Sequence, residues 1–396
     1  MFPTDVVIVA GARTPMARYT GVFSEVSAID LGAHAAKAAV ERSGADPGEV
    51  DHVVFGNVLQ SSSDAIYGAR HVGLKAGLKV ETPAVTINRL CGSGIEAIAQ
   101  GAQRLLLGEA NLVVAGGMEN MTQAPFVIRG ARTGLKLGGG VLEDFLFVGL
   151  TDSYCGLPMA VTAEKLAAQT GITRMDADAY ALRSQQAADA AAKDGVFKEE
   201  IVPVDVKQGK KSILVTEDDH RRPETTMETL AKLPPSFQKD GIVTAGNASG
   251  IVDGAAAVVV TREKTAKERG LKPLGRIISW AAVGVDPSIM GIGPVPSTRK
   301  ALQLAGLKLE QIDRIEVNEA FAAQYLAVEK ELGLQRDKTN VNGGAIALGH
   351  PLAASGTRLV LTLLNELRRK GLKYGLATAC IGGGQGIAMI VEALGS

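Results

Sequence analysis

The sequence predicts an α/β fold made of two similar halves with a less regular segment inserted between them. Three observations predict it. Short β-branched runs alternate with longer helical stretches near both ends of the chain. A pattern of helix, glycine, short loop, aspartate and strand occurs twice. The chain has 396 residues and is 46% hydrophobic, enough at about 150 residues per domain for two or three packed cores. Glycine supplies 47 of the 396 positions, above the usual share of about 7%, while there are only one Trp and nine Phe. The interior is therefore built from small side chains with close backbone approaches.

The first strand is Val6 to Ala10, and a helix follows through Ile29 to Ser43. Strands at Val53 to Phe55 and Ala84 to Ile87, a helix from Ile95 to Leu107 and a strand at Leu112 to Ala115 continue the rhythm. Between Met121 and Ser249 it breaks. Gly138 to Gly140, a charged stretch from Lys207 to Arg222 and Pro234-Pro235 interrupt two amphipathic helices, around Thr162 to Gln169 and Asp176 to Ala192. From Leu274 the alternation returns. The repeat pairs Gly44 to Val53 with Gly306 to Ile315, so two similar halves face each other with room for a site between them. The expected division is 1–120, completed by about 250–272, then an inserted loop domain over 121–249, then 273–396.

Lys plus Arg and Asp plus Glu are 42 each, giving zero formal charge, which excludes the positive excess of a nucleic-acid binder or membrane-surface protein. No apolar run approaches the roughly 18 residues of a spanning helix. Cys91, Cys155 and Cys380 are an odd, widely spaced set without zinc spacing, so no metal site is expected and the thiols are read as free. The residues from Met1 to Ala10 lack the charged start and apolar length of a signal peptide, and Ala393 to Ser396 is no peroxisomal signal. A cytoplasmic protein is expected.

Four segments carry side chains suited to chemistry. Asn88 to Gly94 places Cys91 at a strand-to-helix turn, where the helix dipole is expected to lower the thiol pKa toward neutrality and make a nucleophile. A buried structural cysteine is the alternative. The same stretch, Gly92 to Ala97, fits G-x-G-x-x-A, so an NAD-dependent oxidoreductase is a rival reading. Its weakness is the absence of an acidic residue at the next strand end, which reads Val114-Ala115-Gly116-Gly117. His350 follows the glycine-rich Asn340 to Gly349 and precedes Pro351 at a helix start, a setting for a general base. His34, His52, His71 and His220 are read as hydrogen-bonded structural residues. Cys380 ends an apolar strand before Gly382-Gly383-Gly384, whose N–H groups can bind an oxyanion; core packing is its alternative. Asn318 ends a strand, as an N-cap or as a holder of water. Cys155 is read as structural.

Together these segments resemble the thiolase family. Asn88 to Gly94, Asn318 to Phe321, Gly343 to Gly356 and Cys380 to Gly386 occur in the family's order, and the likeness runs from first strand to last. The resemblance implies a thiolase fold: two α/β halves in a layered αβαβα core with a loop domain that binds coenzyme A. It implies that Cys91 is acylated, that His350 activates it, and that Cys380 moves the α-proton. Asn318 holds a water that forms one oxyanion hole with His350, and the N–H groups of Cys91 and Gly382 form the other. Arg222 and Thr225, in Arg221 to Thr225, and Ser249, in Ala245 to Gly250, match the coenzyme A contacts. No tightly bound cofactor is implied, coenzyme A and acetyl-CoA being substrates, and the partners are acyl-CoA esters and further copies of the chain, as a homodimer or homotetramer. A non-catalytic, thiolase-like lipid carrier is a further alternative. Pro158 stands where short-chain members carry histidine and resembles the degradative 3-ketoacyl-CoA thiolases, whereas Ile277 to Trp280 and Gly284 to Pro287 resemble the biosynthetic acetyltransferases.

Overall fold

A computed structural model describes residues 4–395; Met1 to Pro3 and Ser396, which enter the reading of the termini, lie outside the described residues. The first half contains β1 (Val6–Arg13), α1 (Ala28–Ser43), β2 (His52–Gly56), α2 (Gly68–Lys75), β3 (Ala84–Ile87), α3 (Ser93–Leu106) and β4 (Leu112–Glu119). The middle segment contributes α4 (Met159–Thr170), α5 (Arg174–Lys193), β5 (Val204–Gln208) and β6 (Lys211–Val215). Then come β7 (Val252–Arg262), β8 (Gly275–Gly284), α6 (Pro294–Ala305), β9 (Arg314–Val317), α7 (Ala322–Leu332), α8 (Leu352–Arg369), β10 (Tyr374–Ile381) and β11 (Gln385–Ala393).

The main sheet runs β9-β10-β11-β8-β1-β7-β4-β2-β3. Its two wings join where Val7 and Ile8 of β1 meet Arg276 and Gly275 of β8, in antiparallel register. The wings fold around α3 and α8, which occupy the central layer. Residue alternation explains this: on β1, Val6 and Ile8 enter the core around α3 and α8, while Val7 and Val9 enter the outer core under α1. β7 does the same, with Val258 and Val260 inward and Ala257 and Val259 outward. A third core covers the other wing with α6, α7 and part of α5. Strands buried on both faces read as continuous apolar runs, as Val6 to Ala10 does.

The repeat is physical. Gly44 and Gly306 close α1 and α6 in the left-handed conformation, at φ 74° and 66°. Asp51 accepts the backbone N–H groups of Asn111 and Leu112 on one oxygen, and Asp313 accepts those of Lys373 and Tyr374 in the same way. Small residues let the central helices touch. A Cβ on Gly94 would lie 2.3 Å from the Thr357 nitrogen, and one on Gly117 would lie 1.9 Å from the Ala353 oxygen.

Two local expectations change. The charged stretch from Lys207 contains a hairpin, β5 with β6, because Val204 and Val206 alternate with polar residues and bury one face on the first-half core. Asn318 is not a helix N-cap, since α7 begins at Ala322, after Phe321.

Candidate active site

Cys91 lies in a short 3₁₀ turn, Leu90–Gly92, between β3 and α3. The preceding Leu90 has φ +47°, a left-handed conformation costly for a branched side chain and typical of places where the backbone must be aimed. His350 stands on the other half. Each occupies the same place in the repeat, two residues before its helix: Cys91 before Ser93 of α3, His350 before Leu352 of α8.

One cavity of about 250 Å³ brings the two together, its wall including Cys91, His350, Gly382, Ser249, Met159 and Phe321. The Gly382 backbone N–H faces the Cys91 sulfur closely enough to favour its thiolate form. Cys380 is fully buried behind this wall, in a small cluster with Met290 and Ala320 against Met159 and Phe321. Asn318 is buried too, and its Nδ2 lies 3.3 Å from His350 Nε2. Its Oδ1 has no partner among the described residues, which leaves an acceptor suited to a water or a substrate donor.

The imidazole is oriented by a relay that the sequence reading did not include. Ser355 Oγ donates to the Pro351 carbonyl at 3.0 Å, so the oxygen is free to accept from His350 Nδ1 at 2.5 Å. With the proton on Nδ1, Nε2 keeps its lone pair toward Asn318 and the cavity. The His350 backbone N–H is fixed by the Gly250 carbonyl at 2.9 Å.

The electrostatics correct one expectation. Burial pushes the Cys91 thiol up to about 11, despite the N–H groups of Gly382 and of its own backbone, and nearby Glu119 adds to the rise. The helix dipole is outweighed because the sulfur loses its hydration. Burial also holds His350 down at about 3, with the Arg358 charge acting in the same direction. Cys380 is raised as well, first by burial and then by Cys91. The resting site is a neutral thiol beside a neutral imidazole.

Arg222 and Thr225 line a second cavity, of about 180 Å³, with Gln185, Ala245 and Gly246. The 245–251 segment separates it from the first, and Ser249 faces the catalytic side. Gln185 fixes the Arg222 backbone at 2.9 Å, and Thr225 bonds back to the Arg222 carbonyl at 2.7 Å. Arg221 instead faces Asp189 and Glu217. His220 departs from its expected role, because its ring packs over Gly250 and lines the Arg222 cavity. No local sequence signal reveals a partner thirty residues away. His34, His52 and His71 do bond, to Pro203, Val53 and Asp64. Cys155 is free and partly exposed, and is not part of the cavity wall.

The dinucleotide reading of Gly92 to Ala97 finds no room. A Cβ on Gly92 would meet the Ile381 side chain at 2.5 Å, and Gly94 is pressed on α8, so these glycines serve packing rather than a pyrophosphate. Among the described residues no His, Cys, Asp and Glu group could hold a metal, and no helix is long and apolar enough to cross a membrane.

Residues 6–264 match the thiolase N-terminal domain family and residues 271–393 the thiolase C-terminal domain family. The chain is 55% identical over 388 residues to a mitochondrial 3-ketoacyl-CoA thiolase of Homo sapiens, covering 98% of both chains. It is 52% identical to an acetyl-CoA acetyltransferase of Pseudomonas aeruginosa, over 97% of this chain and 98% of that one. The solved structure of the human mitochondrial thiolase in complex with CoA superposes with a TM-score of 0.96 at 54% identity, covering 98% of each chain. The expectation of a cytoplasmic protein is overturned by the mammalian relatives, which are mitochondrial by name and point away from the cytosol. These likenesses span the fold, both halves and the loop segment, and the chain belongs to the thiolase family.

Proposed function

We propose the following division of labour for the acyl transfer that this thiolase performs between coenzyme A esters. The enzyme cleaves 3-ketoacyl-CoA with coenzyme A or, in reverse, condenses two acetyl-CoA molecules. In cleavage, Cys91 Sγ attacks the 3-keto carbon while His350 Nε2 takes its proton. The bond between C2 and C3 breaks, and Cys380 protonates the departing acetyl-CoA carbanion. The proton held by His350 then restores the Cys380 thiol. Coenzyme A attacks the acyl-Cys91 thioester, with the neutral His350 again as base, and that proton passes to Cys91 as it leaves, returning the free thiol. A thiol carrying an acyl group cannot also move the α-proton, which is why two are needed.

The observation that carries this reading is the shared cavity in which Gly382 N–H faces the Cys91 sulfur and His350 presents Nε2. The Cys91 and Gly382 N–H groups serve one oxyanion, and Asn318 with a water and His350 serves the other; each donor is worth about 2.7–4 kcal/mol by comparison with other enzymes. Because the resting pair is neutral, proton transfer accompanies attack. Arg222 binds coenzyme A phosphate, Thr225 supports that loop, and Ser249 meets the pantetheine arm, supported by the two cavities on either side of 245–251. We further propose the division into 1–120 with 250–272, 121–249 and 273–396, a role in fatty-acid degradation, and a homodimer or homotetramer. The half-exposed edge strand β3 and the exposed Ile66, Tyr67 and Phe126 support self-association, and sedimentation tests it.

Incubation with acetyl-CoA should leave one acetyl group, on Cys91. Cys380→Ser should still accept that group but lose most carbon–carbon cleavage. A label found only on Cys155 or Cys380, or a folded Cys380→Ser enzyme turning over at nearly the parent rate, would refute the assignment.

A further inference from the structure

Glu119 ends β4 and is fully buried, yet it takes no part in the mechanism above. Its carboxylate receives four donors. Oε1 accepts from Leu59 N at 2.9 Å and Asn57 Nδ2 at 3.1 Å. Oε2 accepts from Val58 N at 3.2 Å and Ala353 N at 3.1 Å. Three donors belong to the turn after β2, in the half that carries Cys91. The fourth is the second residue of α8, three residues beyond His350.

Among the described residues, the charge that acts most on this carboxylate is another acid, Asp253, and no cation forms an ion pair with it. A buried carboxylate without a cation adds little net stability compared with an apolar side chain of similar size. Its geometry has another use. All four acceptor directions are filled, which only a carboxylate can offer, and they tie together the two halves whose reacting groups must meet. The start of α8 already rests on β4 through the contact of Gly117 with Ala353. Glu119 then fixes its rotation and height.

We infer that the Glu119 carboxylate is a positioning residue, pinning the first turn of α8, and with it His350, against the half that carries Cys91. The inference rests on the roles proposed above for Cys91 and His350. Burial, opposed by these N–H donors and reinforced by Asp253 on β7, holds the Glu119 carboxyl at about 7. The titratable groups facing it are Asp253 and Cys91; the turn after β2 and the start of α8 present amides. Below that pH one oxygen becomes an O–H that faces N–H donors, and the tie loosens.

The test compares Glu119→Gln with the parent in single-turnover acetylation of Cys91, steady-state thiolysis and the pH profile of kcat. The amide sets its NH₂ against two donors on one side. Acetylation and kcat should each fall at least tenfold, while KM for coenzyme A stays within about twofold, because the Arg222 cavity does not touch Glu119. Parent kcat should decline below about pH 7, Asp253→Asn should keep that limb, and Glu119→Gln should lose it. Should Glu119→Gln not fold, Asn57→Ala removes one donor to the ionised form and should move the limb to higher pH. Parent-like kcat in folded Glu119→Gln, or a limb unmoved by either variant, overturns the inference. A parent enzyme that takes no acetyl group on Cys91 would instead defeat the reading on which it rests.

Discussion

Ser355→Ala removes a single oxygen from the relay behind the base. In the parent, Ser355 commits its proton to the Pro351 carbonyl and so can only accept from His350 Nδ1. That fixes the proton on Nδ1 and leaves Nε2 free to take one. Without the oxygen, a buried N–H has no partner, at a cost of about 1–3 kcal/mol. The imidazole escapes this cost by moving its proton to Nε2, where Asn318 can offer its unpartnered Oδ1 by turning its amide. Either way the base is lost for part of the population. At 1.36 kcal/mol per factor of ten, acylation should slow by about 5- to 160-fold. The assay is rapid-quench acetylation of Cys91 beside equilibrium unfolding in urea. Ser355→Thr, which keeps the oxygen, should recover much of the rate if the methyl is accommodated. A folded Ser355→Ala enzyme acetylating at the parent rate would show that the tautomer is not set by this bond.

Because burial holds the Cys91 thiol at about 11, its alkylation by iodoacetamide should accelerate roughly tenfold per pH unit from pH 7 to 10; a plateau near pH 8 would mean a stabilised thiolate. Arg13→Ala strands Glu200 and Asp218, which face its fully buried guanidinium at 2.7 and 2.6 Å, so urea unfolding should show a loss of about 3–5 kcal/mol. A loss below 1 kcal/mol would contradict the burial argument. Gly94→Ala puts a methyl 2.3 Å from backbone on the facing helix, so α3 and α8 must separate, costing about 1–3 kcal/mol or more. Unchanged stability and acylation would show that the helices are not held at that crossing. Arg222→Ala should raise KM for coenzyme A severalfold with kcat little changed, as expected for binding energy shared by ground and transition states; an unchanged KM would remove Arg222 from the phosphate site.

The strands were legible where both faces are buried, since Val6 to Ala10 needed no partner to be recognised as an apolar run. Ala84 to Ile87, half-buried at the sheet edge, was legible from its apolar content alone. β4 runs on to Glu119 rather than ending at Ala115, because Gly116 and Gly117 are strand residues where Phe55 and α8 press on the backbone. The hairpin at Val204 to Val215 hid behind its lysines, its alternation too short to outweigh the charge. In the candidate site, Cys91, His350 and Gly382 announced themselves through glycine-rich surroundings and do share a cavity. The thiol's protonation was misread because a local dipole can be inferred from sequence and desolvation cannot. Glu119, Ser355 and His220 were missed for a related reason: their partners lie elsewhere in the chain or depend on a helix turn. Only Ser355 left a trace, a hydroxyl five residues after the histidine at the start of an apolar helix.

The matching stations of Cys91 and His350, each two residues ahead of its central helix, bear on how such a centre can arise. A dyad built from two identical half-chains would present the same side chain at both stations, two thiols or two imidazoles. Joining the halves into one polypeptide breaks that degeneracy, letting one station become electrophile-seeking while its twin becomes a proton acceptor. The chemistry therefore rests on the two stations carrying different side chains, one on each half of the same polypeptide.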